Sequence, residues 1–390
     1  MARNWNFAVP RVEGVAPRQA GVAVPKELWE RELSREGFSG AAVEFYHRNP
    51  PTAFSDIDQE LRPHLFDVDR LTDPVESPWQ AAVLLHNADT RIRFWRTQQP
   101  MNHLVRNADG DDLLFVHRGG GDIYCDFGHI ELREGDYFVI PRGCSWRLEP
   151  AQATQMLMIE ATGGSFSRPD NAANLGRYAP FDPGVFGVPS IDEAFKSQQR
   201  DKPWAIHVKR GGKVGCITYP YNPLDAEAWK GDLYPIRLNV ADIRPVMSHR
   251  IHLAPSANST FVSDRFVVCT FVPKPGETDP EAGKLPPFHD NVDFDEVMFL
   301  HEGSKTPHRV TAFKEGMLTF HPAGVTHGPH PGAFAVKDAT EPIPLESTFV
   351  MIDTRNPLSV HEDAAAADIA GYEKSWTASI GYAPDARKGR

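Results

Sequence analysis

The chain has 390 residues, 41 of them lysine or arginine and 52 aspartate or glutamate, which leaves a formal net charge of −11. Hydrophobic residues at 41% and charged residues at 24% suit a globular protein with room for two domains, and the excess of acid argues against a nucleic-acid binder, whose phosphates demand clustered lysine and arginine. No apolar run reaches the roughly 18 residues of a membrane span, and the start MARNWNFAVP has no apolar signal core, so a cytoplasmic protein that does not engage membranes is expected.

The first 80 residues are rich in proline and predict an extended arm around one short helix, KELWERELSRE. From Leu113 short apolar runs are separated by Gly, Asp and Arg: LLFVH, DIYCDF, HIEL, DYFVI and QMLMIE. Such runs predict a β-meander of sandwich or barrel type. Residues 163–204 are turn-rich, with one helix start at Ser190-x-x-Glu193 in the pattern of a capping box. RGGKVG at 210–215 reads as a glycine turn. A second β-rich stretch begins at FVSDRFVVCTFV and continues through VMFLH, MLTFH and TFVMID, and the tail DAAAADIAGYEKSW predicts a closing helix. The four cysteines (Cys125, Cys144, Cys216, Cys269) stand far apart without a Cys-x-x-Cys pair, which disfavours a disulfide framework or a cysteine zinc site.

The two β-rich stretches repeat one another. DDLLFVHRGG from Asp111 overlays DEVMFLHEGS from Asp295 at an offset of 184, which matches His117 to His301. Gly135-DYFVI-Pro141-Arg-Gly143-CS-Trp146 overlays Gly316-MLTFH-Pro322-Ala-Gly324-VT-His327 at an offset of 181, the difference being what a hairpin loop of altered length produces. Two related β-modules are therefore expected.

Histidine is unevenly spread. Eight of the 16 (His249, His252, His289, His301, His308, His321, His327, His330) fall between residues 249 and 330. Within that window Gly283-x5-His289-x-Asn291-x4-Glu296-x6-Gly303 follows the first cupin signature with its second histidine replaced by asparagine, and Gly316-x5-Pro322-x-Gly324-x2-His327 follows the second. Two imidazoles and a carboxylate on one face of a metal leave the opposite face open for a bidentate substrate and O2, which points first to non-haem Fe(II), with zinc as an alternative. His289, Glu296 and His327 are the candidate ligands. His301 echoes His117 and reads as structural, whereas His249 and His308 lack spacing support. His321, six residues before His327, is expected on the same strand and face, as a substrate contact or a support for the ligands. In the first module the ligand positions become Val105, Asn107, Asp112 and Trp146, so that module is expected to be metal-free.

PPFHDN, DEVMFLHEG, HPAGVTHGPHPG and Gly371-Tyr372-Glu-Lys-Ser-Trp376 resemble the homogentisate 1,2-dioxygenase family of the cupin superfamily, and the likeness extends to ELSREGFSGAAVEFYHRNPPT in the arm. The resemblance implies Fe2+ on His289, Glu296 and His327, a catalytic histidine at His252 in HLAPS, and a substrate contact at His321; His330, in the following loop HGPHPG, is a further candidate for contacting substrate. It implies conversion of a small hydroquinone-type aromatic acid and O2 by ring opening, homogentisate to maleylacetoacetate in the family, and a homo-oligomer. His252 would take the phenolic proton. This chain departs from the family at His289-Asp290-Asn291, where the family has arginine in the middle position, and in a ligand spacing longer by one residue. An acid in place of a base beside the metal would alter the field felt by an anionic substrate.

The expected architecture is thus mainly β, a bicupin of two β-barrel or sandwich modules with peripheral helices and an extended N-terminal arm. Residues 1–240 would form the arm plus a metal-free module, and residues 241–390 the module carrying the metal. A manganese or zinc isomerase or decarboxylase that consumes no O2, a gentisate-type dioxygenase and a cupin that only binds a ligand are the alternatives.

Overall fold

The run LLFVH lies in strand Gly110–Arg118, whose two faces are both buried. Leu113 and Phe115 point to one face, Leu114 and Val116 to the other, as the period of two requires. The computed structural model describes residues 10–38, 40–169, 180–198, 201–303 and 313–377, and in it this strand sits inside a seven-stranded sheet. The order is Ile236–Asn239, Asp136–Ile140, Gly110–Arg118, Thr154–Thr162, Thr90–Thr97, Ala82–His86 and Ser359–Val360.

Each face of this sheet packs on another. One is covered by a six-stranded sheet ordered Lys213–Tyr219, Trp204–Arg210, Leu104–Asn107, Ser145–Pro150, Gly120–Cys125 and Gly128–Arg133. Between them Trp95 meets Trp146 at 6.0 Å, among Ile123, Phe138 and Met156. The glycine turn at Gly211 and Gly212 joins the first two of these strands, both residues at positive φ as a tight two-residue hairpin requires.

The other face packs on the sheet of the second module: Ser259–Val262, Phe266–Phe271, Thr348–Thr354, Asp295–Glu302, Met317–His321 and His64–Asp67. Phe94 meets Phe299 at 6.1 Å, and the Tyr137 hydroxyl hydrogen-bonds Thr270 at 2.9 Å. Val297, Phe299, Leu318, Val350 and Ile352 face this shared core, so their strand neighbours Glu296, Met298, Thr319, His321 and Met351 face the opposite way, into a cavity. The molecule is mainly β with two modules, a bicupin whose sheets pack in layers. Two segments lace it: His64–Asp67, from the arm, joins the second module, and Ser359–Val360, from the tail, joins the first.

Three expectations need correction. KELWERELSRE is not a helix: Trp29–Ser34 is a strand, parallel to Phe288–Asn291 and antiparallel to Ala42–His47. A backbone ladder on both edges and the packing of Trp29 against Phe288 and Phe334 outweigh a helix preference of a few tenths of a kcal/mol per residue. The helix start at residue 190 is capped by Asp192, which accepts from the Phe195 N–H at 2.8 Å, while Ser190 pairs with His129. The tail is broken into short pieces, Glu362–Ala366 and Lys374–Thr377, because the Ile369 N–H bonds the Leu65 carbonyl and Gly371 turns the chain at positive φ. His308 lies outside the described residues.

His117 and His301, matched by the repeat, face each other across the modules with their Nδ1 atoms 3.1 Å apart. Burial pushes His117 down to about 2 and His301 down to about 4. Both rings are therefore neutral at pH 7, whereas in the unfolded chain they titrate near 6.5. As pH falls below that value the unfolded chain takes up protons that the folded rings refuse, so this stability is present above about pH 6.5 and is lost toward pH 4. Urea unfolding at pH 7 and pH 4.5 should show a loss of roughly 2 kcal/mol per ring, reduced in a His117→Phe, His301→Leu double variant.

Candidate metal centre

Strand Asp295–Glu302 delivers Glu296 into the cavity, and strand Phe288–Asn291 delivers His289. The loop after Pro322 brings His327 back so that its backbone pairs with that of His289 in both directions, at 3.0 and 3.1 Å. Gly328 follows at positive φ, where a side chain would press on Phe288. His289, Glu296 and His327 offer ligand atoms that all lie within 4.8 Å of one another, the one such group among the described residues.

The tautomers favour a metal. His289 Nδ1 donates to the Pro287 carbonyl at 3.0 Å, and His327 Nδ1 to the Val325 carbonyl at 2.9 Å. Each ring therefore turns its Nε2 lone pair toward Glu296, at 3.6 and 3.4 Å from the carboxylate oxygens. Both Nε2 atoms are buried without a hydrogen-bond partner. Two buried orphan lone pairs beside a carboxylate are costly unless a cation receives them, and the backbone carbonyls behind the rings hold the orientation that ligation needs. Burial raises the Glu296 carboxyl, but the imidazoles around it, His327 foremost and then His289 and His321, hold it well below the usual carboxylate range. Burial drives His327 down to about 4.

The other predicted residues are placed as follows. His321 ends its strand, so it does not share one with His327; the two rings nonetheless stack at 4.4 Å because the chain turns back. His321 Nδ1 donates to Glu296 Oε1 at 2.9 Å, which leaves its Nε2 to accept from the Tyr372 hydroxyl at 3.3 Å. Tyr372 also reaches His330 Nε2 at 3.4 Å, and Ser375 bonds His330 Nδ1 at 2.8 Å. Asn291, in the position of the missing cupin histidine, donates to Glu296 Oε2 at 3.3 Å and so orients that ligand. Asp290 points to the other side of its strand, paired with Arg31 and Thr326; its charge is met there rather than projected at the metal site. His249 stands apart, its carbonyl accepting from the Asp279 N–H.

His252 lines the same cavity, of about 340 Å³, as the three ligands, His321 and His330. Its Nδ1 lies 3.2 Å from Glu277. Burial raises the Glu277 carboxyl, but the hydrogen bond and charge of His252 bring it below its ordinary value. An ionised Glu277 accepts the Nδ1 proton and turns the His252 Nε2 lone pair outward as a base. Glu277 carries no signal in the sequence, and Tyr372 shows only as part of the segment Gly371–Trp376 that resembles the family. Removing one ligand should abolish metal binding while leaving the fold: His327→Ala should retain less than a tenth of wild-type metal by elemental analysis, and adding Fe(II) should raise the melting temperature of the wild type but not of the variant.

The homogentisate 1,2-dioxygenase N-terminal family profile matches residues 71–240. A putative dioxygenase of Saccharolobus solfataricus is 27% identical over 389 residues, covering 94% of this chain and 98% of that protein. The homogentisate 1,2-dioxygenase of Nitrobacter hamburgensis is 30% identical over 294 residues, 70% of this chain and 62% of that enzyme. That of Bradyrhizobium diazoefficiens is 27% identical over 285 residues, 70% of this chain and 61% of that enzyme. A solved cupin 2 conserved barrel domain protein from Leptotrichia buccalis aligns with 75% of this chain and 96% of that chain, at 11% identity and a TM-score of 0.35. The chain spans less than two thirds of the two homogentisate dioxygenases and nearly all of the Saccharolobus protein, and its likeness is to the homogentisate 1,2-dioxygenase family.

Proposed function

We propose that the protein is an Fe(II)-dependent ring-cleaving dioxygenase that inserts both atoms of O2 into a hydroquinone-type aromatic acid, homogentisate to maleylacetoacetate being the first candidate. The observation that carries this reading is the pair of orphaned Nε2 lone pairs aimed at Glu296 in a cavity that His252 also lines. The relatives named homogentisate 1,2-dioxygenase supply the reaction class.

In this reading His289, Glu296 and His327 hold the iron, and the module of residues 241–390 carries the chemistry while that of residues 1–240 supports it. Bound Fe(II) would supply coordination positions for a substrate oxygen and O2 and lower the cost of their reaction. His252 Nε2 accepts the phenolic proton as substrate enters, its ring held by Glu277, and deprotonation enriches the aromatic ring in electrons. His321 and His330, both already bonded to Tyr372, form the polar wall of the substrate pocket. Phe271, Phe349, Met298 and Met351 supply the apolar surface against which a planar ring packs and from which water is displaced.

Anaerobic reconstitution with Fe(II), followed by homogentisate and other hydroquinones in an oxygen electrode, should show one O2 consumed per ring opened. Turnover of a small acid with zinc or manganese and no O2 uptake would replace this reading by an isomerase or decarboxylase. His252→Ala should keep its iron and lose roughly 10²–10⁴-fold in kcat; wild-type turnover in an iron-replete variant would remove His252 from the mechanism.

A further inference from the structure

The cavity around the metal centre is lined by carboxylates: Glu32 and Glu44 from the arm, Glu277 and Glu296 from the second module. An acid substrate entering such a space needs a cation to meet its charge. Two lysines line the cavity. Lys284 is committed, its ammonium donating to the backbone carbonyls of Glu277 at 2.8 Å and of Asp279. Lys274 is different. Its backbone is pinned to Leu345 by two hydrogen bonds of 3.0 Å, so the residue is fixed in place. Its ammonium has no hydrogen-bond or ion-pair partner among the described residues, although the residue is only half-exposed.

We propose that Lys274 receives the carboxylate of the substrate, which makes it the residue that selects an aromatic acid over a neutral hydroquinone. This rests on the ring-cleavage reading above and adds to it the group that fixes the substrate's orientation. Burial lowers the Lys274 ammonium from its ordinary value, against the opposing charge of Glu277, so an arriving carboxylate relieves a desolvation cost already present in the protein. The arm does not oppose this at neutral pH as strongly as its composition suggests. Glu44 is pushed up to about 8 by burial and then by Glu32 and Glu30, so it is largely uncharged at pH 7. A carboxylate at Lys274 and a phenol at His252 would draw on one loop, since Lys274 and the His252 partner Glu277 are three residues apart.

The test compares ligands that share the ring and differ in the side chain. Anaerobic calorimetry on the Fe(II)-loaded protein would measure the dissociation constants of 2,5-dihydroxyphenylacetate and of 2-methylhydroquinone. Lys274→Met should lower the preference for the acid, as the ratio of the two constants, at least tenfold, and Lys274→Arg should restore most of it. Lys274→Glu should shift preference toward 2,5-dihydroxyphenethylamine, a result that loss of fold cannot imitate. An unchanged ratio in Lys274→Met, with hydroquinones still consuming O2, would overturn the assignment of Lys274 alone. Failure of every hydroquinone to bind or to consume O2 with the wild type would overturn the ring-cleavage reading and this inference with it.

Discussion

A carboxylate removed from water must be met by protons or cations, and the surroundings of Glu296 answer that demand. Asn291 donates to one oxygen and His321 to the other, and His289 and His327 close the remaining side with lone pairs that only a cation satisfies. The strand neighbours of Glu296 keep further charge away. Asp353, opposite it on the adjacent strand, is raised well above the ordinary carboxylate range by burial and by the charge of Glu296, which disfavours a second charge there. The result is one carboxylate charge facing the two orphaned lone pairs, a donor set that would leave a divalent ion positive toward substrate and O2.

The first module builds the same frame and fills it differently. Asn107 donates to Asp112 at 3.0 Å, as Asn291 does to Glu296, and Glu160 lies opposite Asp112 as Asp353 lies opposite Glu296. Here the cations are the protein's own: Glu160 is met by Arg93 at 3.1 Å and by the Lys209 ammonium at 2.8 Å. Trp146 stands where His327 would be. Asp112 is pushed up to about 7 by burial and then by Glu160, so it is only partly ionised at pH 7. One polar frame, shared by both modules, is thus closed by a lysine in the first and left with two imidazole lone pairs in the second.

This contrast explains what was legible in the sequence. The clustering of His289, Glu296 and His327 was, because two strands and a glycine turn hold them at fixed intervals, and the intervals survive the loss of one histidine. The meander was, because each strand is only as long as its apolar run. KELWERELSRE misled because what makes it a strand is Phe288–Asn291, a partner remote in the chain, while its local composition is that of a helix. His321 was assigned to the right wall for the wrong reason: it meets His327 through a turn rather than along a strand. Glu277, Lys274 and Tyr372 had no spacing to reveal them, since their roles come from tertiary approach alone.

The departure at Asp290 fits this division. Its carboxylate faces away from His289 and binds Arg31, so it anchors the arm to the strand that bears the ligand. Trp29 packs between Phe288 and Phe334 and fixes the same junction from the apolar side. That anchorage sets Phe38 edge-on against His289 at 5.2 Å and carries Glu32 and Glu44 into the cavity wall. The tail closes another wall through Tyr372. Three side chains that converge on one point are constrained by that convergence, whereas walls contributed by an arm, a loop and a tail can change without disturbing it. The acid at residue 290 therefore acts on how the arm docks, and in the proposed reading the choice of substrate falls to the loop that carries Lys274 and Glu277.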